Sequence, residues 1–182
     1  MKKRKSIRLP EKDYSDAGEY FITIVTKGRN CYFGLPHRYS EVEQILRQII
    51  EDIWLSIFSL HEESINHVLM PNHFHGIIRL QRENLKDIDH TDLKQRRRMR
   101  IPLLVGKFKT LTSKSINDYY ENLGQKRIFA WQRNYYDRVV RNESELQRIY
   151  DYIEANPYNW DQDIFRDSIH SPEEIKSFFN SL

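Results

Sequence analysis

Residues 20–26, YFITIVT, combine aromatic and β-branched residues with partial alternation, which predicts a strand. Gly28, Asn30 and Gly34 then break the pattern. Ser40, with Glu43 three positions on, forms a capping box that opens a helix. Its apolar residues Val42, Ile45, Leu46, Ile49, Ile50, Ile53, Trp54 and Ile57 keep helical spacing to about residue 59. Two strands follow at 64–70 and 73–80, joined by a short turn at Pro71 and Asn72. Residues 81–100 are polar, charged and aperiodic, which predicts a loop. A second helix fits 103–122, with Leu104, Phe108, Leu111, Ser115 and Tyr119 along one side and Gly124 at its end. Residues 128–140 read as a fourth strand, and Asn142 with Glu145 caps a third helix that stops near Pro157.

The resulting order is strand, helix, strand, strand, helix, strand, helix. Without its last member this is βαββαβ, an α+β chain with a ferredoxin-like antiparallel sheet and helices over one face, followed by a C-terminal helix. At 182 residues one domain is expected. We divide the chain into an N-terminal arm at 1–19, a domain at 20–160 containing the 81–100 loop, and a C-terminal tail at 161–182.

Net charge, +3, says little, but its distribution says more. The arm carries Lys2, Lys3, Arg4, Lys5 and Arg8, and the stretch from Lys86 to Lys114 holds nine basic residues against three acids. Beyond Pro157 the sign reverses, with Asp161, Asp163, Asp167, Glu173 and Glu174 against Arg166 and Lys176. A polyanion partner is expected, with a tail that competes for the basic surface. A single cysteine, Cys31, excludes an internal disulfide and fits a reducing compartment. No stretch approaches the roughly 18 apolar residues of a membrane span, so the expected location is the cytoplasm, in association with the nucleoid.

The chemistry-bearing residues lie in two places. In MPNHFHGIIRL, His73 and His75 project from one face of a strand, their Cα atoms about 7 Å apart, while Phe74, Gly76 and Ile78 project from the other. Such a pair offers two ligands to a metal, or is simply two histidines bonded to water and neighbours. In RIYDYIEANPYNW, Tyr152 and Asn156 are one helical turn apart on a common face. Pro157 disfavours helical geometry at Asn156. Taken singly, a helical tyrosine is more often core or surface filler.

Taken together, MPNHFHGII, VGKFKT and WQRNYYDRVVRNESELQRIYDYIEANP resemble, in order, the REP-associated tyrosine transposases of the single-tyrosine HUH endonuclease superfamily. The resemblance implies that His73 and His75 are metal ligands, that Asn156 is the third, and that Tyr152 is the nucleophile. Arg138 departs from the histidine that often follows the aspartate in that family. It implies magnesium or manganese as the cofactor, with nitrogen ligands favouring manganese. Tyr152 would attack phosphorus to give a 5′-phosphotyrosine and a free 3′-hydroxyl, storing the bond energy for rejoining. No nucleotide cofactor is then needed, and the chain has no Walker-type loop.

The implied partner is single-stranded or hairpin DNA at palindromic repeats. Lys2, Lys3, Arg4, Lys5, Arg8, Arg96, Arg97, Arg98, Arg100, Lys107 and Lys109 are the expected phosphate contacts, against the plainer reading of a solvated charged face. The alternative function is a regulator that binds hairpins without cutting them. The short link from the fourth strand to Asn142 favours a monomer whose tyrosine helix packs in its own chain, with a helix-exchanging homodimer as the other possibility.

Overall fold

The computed structural model describes residues 17–58, 62–81, 99–126, 128–166 and 170–181. The basic residues of the arm and Arg96, Arg97 and Arg98 lie outside them. Four strands, β1 (Gly18–Val25), β2 (Glu62–Leu69), β3 (His73–Leu80) and β4 (Tyr136–Val139), form one sheet in the order β2-β3-β1-β4. Every neighbouring pair is antiparallel. The helices are α1 (Glu41–Phe58), α2 (Arg100–Asn122), α3 (Glu143–Ala155) and α4 (Pro172–Ser181). The expected α+β, ferredoxin-like arrangement is the one observed. No helix among the described residues is long and apolar enough to cross a membrane.

Strand alternation divides the core in two. Tyr20, Ile22, Ile24, Phe74, Ile78 and Leu80 face α1 and α2, where they meet Leu46, Ile50, Trp54, Leu104 and Phe108. Phe21, Val25 and Ile77 face the other way and pack under Leu146, Ile149 and Ile153 of α3. Both faces of the central strands are therefore covered, which accounts for their apolar runs.

The ends of the elements follow local chemistry. Ser40 and Glu43 bond reciprocally, Oγ accepting from the Glu43 amide at 3.3 Å and the carboxylate from the Ser40 amide at 2.7 Å. Gly124, at φ 69°, closes α2, its N–H reaching Glu121 O at 2.9 Å while Gln125 N–H reaches Tyr120 O. Asn142 caps α3 by accepting from the Glu145 amide at 2.9 Å.

One expectation needs amendment. The fourth strand is only Tyr136–Val139. Upstream, pairing with the end of β1 continues only as an isolated bridge at Trp131, while other backbone groups are taken by α2 side chains: Asn117 bonds both N and O of Phe129, and Lys109 Nζ donates to Gln132 O and Arg133 O. The tail contains a helix, α4, opened by a second capping box between Ser171 and Glu174. Its Ile175 and Phe178 pack on the α3 side of the sheet.

Gly76 explains itself in this framework. A Cβ there would lie 2.8 Å from Cη2 and Cζ2 of Trp54, a ring with no solvent exposure and therefore no room to retreat. Gly76→Ala is expected to lower stability by about 1–3 kcal/mol, read from urea denaturation; an unchanged midpoint would show that Trp54 can move.

Candidate functional site

The site grows from the strand pair β1 and β3. Thr23 lies opposite His75, and Val25 opposite His73, so the face carrying the histidines also carries the Thr23 hydroxyl. Both histidines are completely buried, because α3 and the segment after it roof this face. The reading of two solvent-facing imidazoles is thereby excluded.

Each ring is held at Nδ1. His73 Nδ1 lies 2.8 Å from Asn72 Oδ1, and His75 Nδ1 lies 2.7 Å from Thr23 Oγ1. The Asn72 amide nitrogen already donates to Phe165 O at 2.8 Å and to Arg29 O at 3.3 Å. Its oxygen is therefore the atom facing His73, so His73 Nδ1 must carry the proton and Nε2 a lone pair. The two Nε2 atoms approach within 3.0 Å.

α3 brings the third side chain. Leu146, Ile149 and Ile153 bury one stripe of this helix, and Tyr152 and Asn156 lie along the same side. The helix is α to Ala155 and then tightens into a 3-10 stretch, Asn156–Gln162; Asn156 keeps helical angles despite Pro157. Tyr152 Oη lies 3.2 Å from His75 Nε2. Asn156 is 2% exposed, and a hydrogen bond from its side chain to the Tyr152 hydroxyl partly offsets the upward push of burial on the phenol.

The 3-10 stretch returns the chain over the histidines and introduces Asp163, which sequence reasoning had placed in the acidic tail. Its Oδ2 is 3.7 Å from His73 Nε2, and its Oδ1 accepts from the Phe165 amide at 2.6 Å. Ligand atoms of His73, His75 and Asp163 all lie within 4.8 Å of one another. Phe165 closes the roof, its ring centroid 4.9 Å from that of His73 and 5.8 Å from that of His75. Phe178 of α4 sits 5.5 Å from the Tyr152 ring. The tail thus covers the site by apolar contact as well as by one carboxylate.

Burial sets the protonation states. It holds His73 far below the usual imidazole range, helped by His75 and Arg29, and lowers His75 to about 3. It pushes the Tyr152 phenol upward, with the Asp163 charge adding to the effect. Asp163 itself is raised to about 6 by burial, partly offset by the Phe165 amide and by Arg29. The pocket thus contains two neutral imidazoles, a neutral phenol and one ionisable carboxyl.

The expected DNA contacts that lie among the described residues, Arg100, Lys107 and Lys109, are on α2, which packs on the opposite face. Lys109 is bonded to the 132–133 carbonyls at the His73 end of the sheet, and Lys107 is exposed. Arg138 is half-buried and ion-paired with the buried Glu145, whose carboxylate also accepts from the Arg141 amide at 2.9 Å. It therefore anchors α3 to β4.

Comparison with known proteins follows the same lines. Residues 15–156 match the model of the IS200-like transposases. The chain belongs to that family. A relative of uncharacterised role from Haemophilus influenzae is 34% identical over 172 residues, covering 88% of this chain and 91% of its own. Two solved structures share 20% identity and a TM-score of 0.47 with this transposase-family chain. One is a REP-associated tyrosine transposase bound to a REP hairpin, covering 79% of this chain and 68% of its own. The other is a candidate transposase from Deinococcus radiodurans, covering 85% and 96%.

Asp163 gives a pH prediction for metal-free protein. A carboxyl near 3.8 when unfolded and about 6 when folded costs stability as pH rises through that window, because ionisation favours the unfolded chain. Asp163→Asn should match the native chain near pH 4 and exceed it by up to about 3 kcal/mol near pH 7.5, measured by urea denaturation with a chelator. The histidine contributions are lost as pH falls in both proteins and cancel. Equal stabilities at the higher pH would mean the carboxyl is solvated.

Proposed function

We propose that this chain cuts and rejoins single-stranded DNA at hairpin repeats through a 5′-phosphotyrosine on Tyr152, assisted by a divalent cation. The observation that carries the reading is the Tyr152 hydroxyl 3.2 Å from His75 Nε2, within a histidine pair buried in a transposase-family fold. Single-stranded or hairpin DNA fits because a strand must leave the duplex to enter a roofed pocket.

The donor set suits a cation. Two Nε2 atoms aimed at each other and a nearby carboxylate are costly to bury as they stand, and each gains from a positive ion. His73, His75 and Asn156 would hold it, with Asp163 available as an anionic ligand. Magnesium and manganese both accept such a mixed set; the imidazoles favour manganese. When bound, the ion offsets phosphate charge.

The chain's own residues do the rest. Tyr152 Oη forms the bond to phosphorus as the bond to the 3′ oxygen breaks. The phenol loses a proton and the 3′ hydroxyl gains one, so the step is balanced without net acid or base. Asn72 holds His73 in the liganding tautomer, and Thr23 orients the His75 ring. Phe165 and Trp160 exclude water, which protects the phosphotyrosine from hydrolysis. Rejoining is the same step reversed and needs no nucleotide cofactor. Arg100, Lys107, the arm (Lys2, Lys3, Arg4, Lys5, Arg8) and Arg96, Arg97 and Arg98 would supply salt-dependent contacts to flanking phosphates.

Incubated with hairpin-bearing single strands and manganese, the native chain is expected to form a covalent adduct that survives a denaturing gel. Tyr152→Phe should form none while still binding the DNA. Cleavage persisting in Tyr152→Phe would replace the tyrosine mechanism with hydrolysis, and binding without cleavage by the native chain would favour the regulator. Asn72→Ala should also weaken manganese binding about 10- to 100-fold in a calorimetric titration, because the tautomer is no longer fixed. Unchanged affinity would remove Asn72 from the site.

A further inference from the structure

We propose that Arg29 is a catalytic residue of this reaction, its guanidinium binding the non-bridging oxygens of the scissile phosphate. The inference rests on the tyrosine mechanism above and adds a group that neither the sequence motifs nor the family match singles out.

Arg29 ends the 3-10 turn Lys27–Arg29 that leaves β1. Its φ of 56° is in the left-handed region, where a non-glycine residue costs about 1 kcal/mol or more and persists only if its surroundings hold it. They do. Arg29 N–H donates to Thr26 O at 3.0 Å, and Arg29 O accepts from Asn72 Nδ2 at 3.3 Å. Asn72 is the same side chain that orients His73, so the imidazole and the arginine backbone share one anchor.

The side chain points at the pocket. Its Nη1 donates to Ile164 O at 3.2 Å, and Cζ lies 5.7 Å from the centroid of Phe165, the ring that roofs both histidines. The positive charge is felt at His73, Asp163 and Tyr136, three groups that each contact Phe165. The residue is only half-buried, which leaves a route for substrate.

The chemistry requires such a group. The phosphate in flight carries charge on two non-bridging oxygens while Tyr152 Oη bonds to phosphorus and the 3′ oxygen departs. A guanidinium presents parallel N–H donors in the geometry of those oxygens, and a pre-placed cation acts most strongly where water is excluded. The carbonyl of Ile164 occupies one of these donors now, a neutral acceptor standing where a phosphoryl oxygen would bind.

The test is removal of charge from each side. Hairpin oligonucleotides would carry a single methylphosphonate, one linkage at a time, and be offered to the native chain, Arg29→Gln and Arg29→Lys. Attack on the methylphosphonate gives a tyrosyl methylphosphonate by the same bond changes, but without the anionic oxygen that Arg29 would hold. On ordinary DNA, Arg29→Gln should lose about 100-fold in adduct rate, whereas at one methylphosphonate linkage it should come within about threefold of the native chain. Arg29→Lys should recover part of the rate. Affinity in the Tyr152→Phe background should show the same coupling at the same linkage, independent of chemistry. Circular dichroism and melting would confirm that the variants fold. An equal loss on all substrates, with no linkage showing coupling, would overturn the role of Arg29 while leaving the tyrosine mechanism intact. Absence of any adduct with the native chain would overturn both.

Discussion

Two imidazole nitrogens facing each other at 3.0 Å, with no solvent, impose a condition on everything around them. Asn72 spends its donors on Phe165 O and Arg29 O, which forces its oxygen onto His73 Nδ1 and a lone pair onto Nε2. His75 relieves the encounter only if its own Nε2 carries a proton, or if a cation sits between the two. The first is a private hydrogen bond between bases; the second is a metal centre. Tyr152 and Asp163, which both approach this point, make sense in the second case and add desolvation cost in the first.

That condition is met only because β3 has two different faces. Gly76 gives way to Trp54 on the side of α1, so the ring can lie against the strand and α1 and α2 can close over it. The opposite side is then roofed by α3 and the segment after it rather than by a sheet or a partner chain. Arg138 and Glu145 fasten the first turn of α3 to β4, and from there one buried stripe carries Ile149, Tyr152, Ile153 and Asn156 to the histidines. The reach of the phenol is thus fixed by a short link and an ion pair within one chain.

Much of this was legible in the residues. Period and caps gave the strands, α1 and the start of α3, and strand alternation placed His73 and His75 together. What was hidden had two causes. Strand register is a property of pairing, so nothing local to YFITIVT put Thr23 against His75. Backbone partners supplied by side chains are invisible to propensity, so the bonds from Asn117 and Lys109 shortened β4 without a sequence mark. The tail is a different case: Ser171 and Glu174 carry the same capping signal as Ser40 and Glu43, set within a segment whose composition is dominated by acidic residues. Asp163 was hidden for that reason too.

Asp163 offers a second way to complete the proposed cation site. Resemblance points to Asn156, a neutral ligand, whereas proximity points to a carboxylate whose oxygen is already 3.7 Å from His73 Nε2. A cation bound by neutral groups alone keeps its full charge for phosphate oxygens; each carboxylate in its shell cancels part of it. In the proposed site the Asp163 carboxylate would therefore lower the charge a cation offers to phosphate, whereas the Asn156 amide would not. The two groups compete through charge, and the segment bearing Asp163 also presents the Ile164 carbonyl to Arg29. An anionic phosphate would compete for the Arg29 donor that the Ile164 carbonyl now holds.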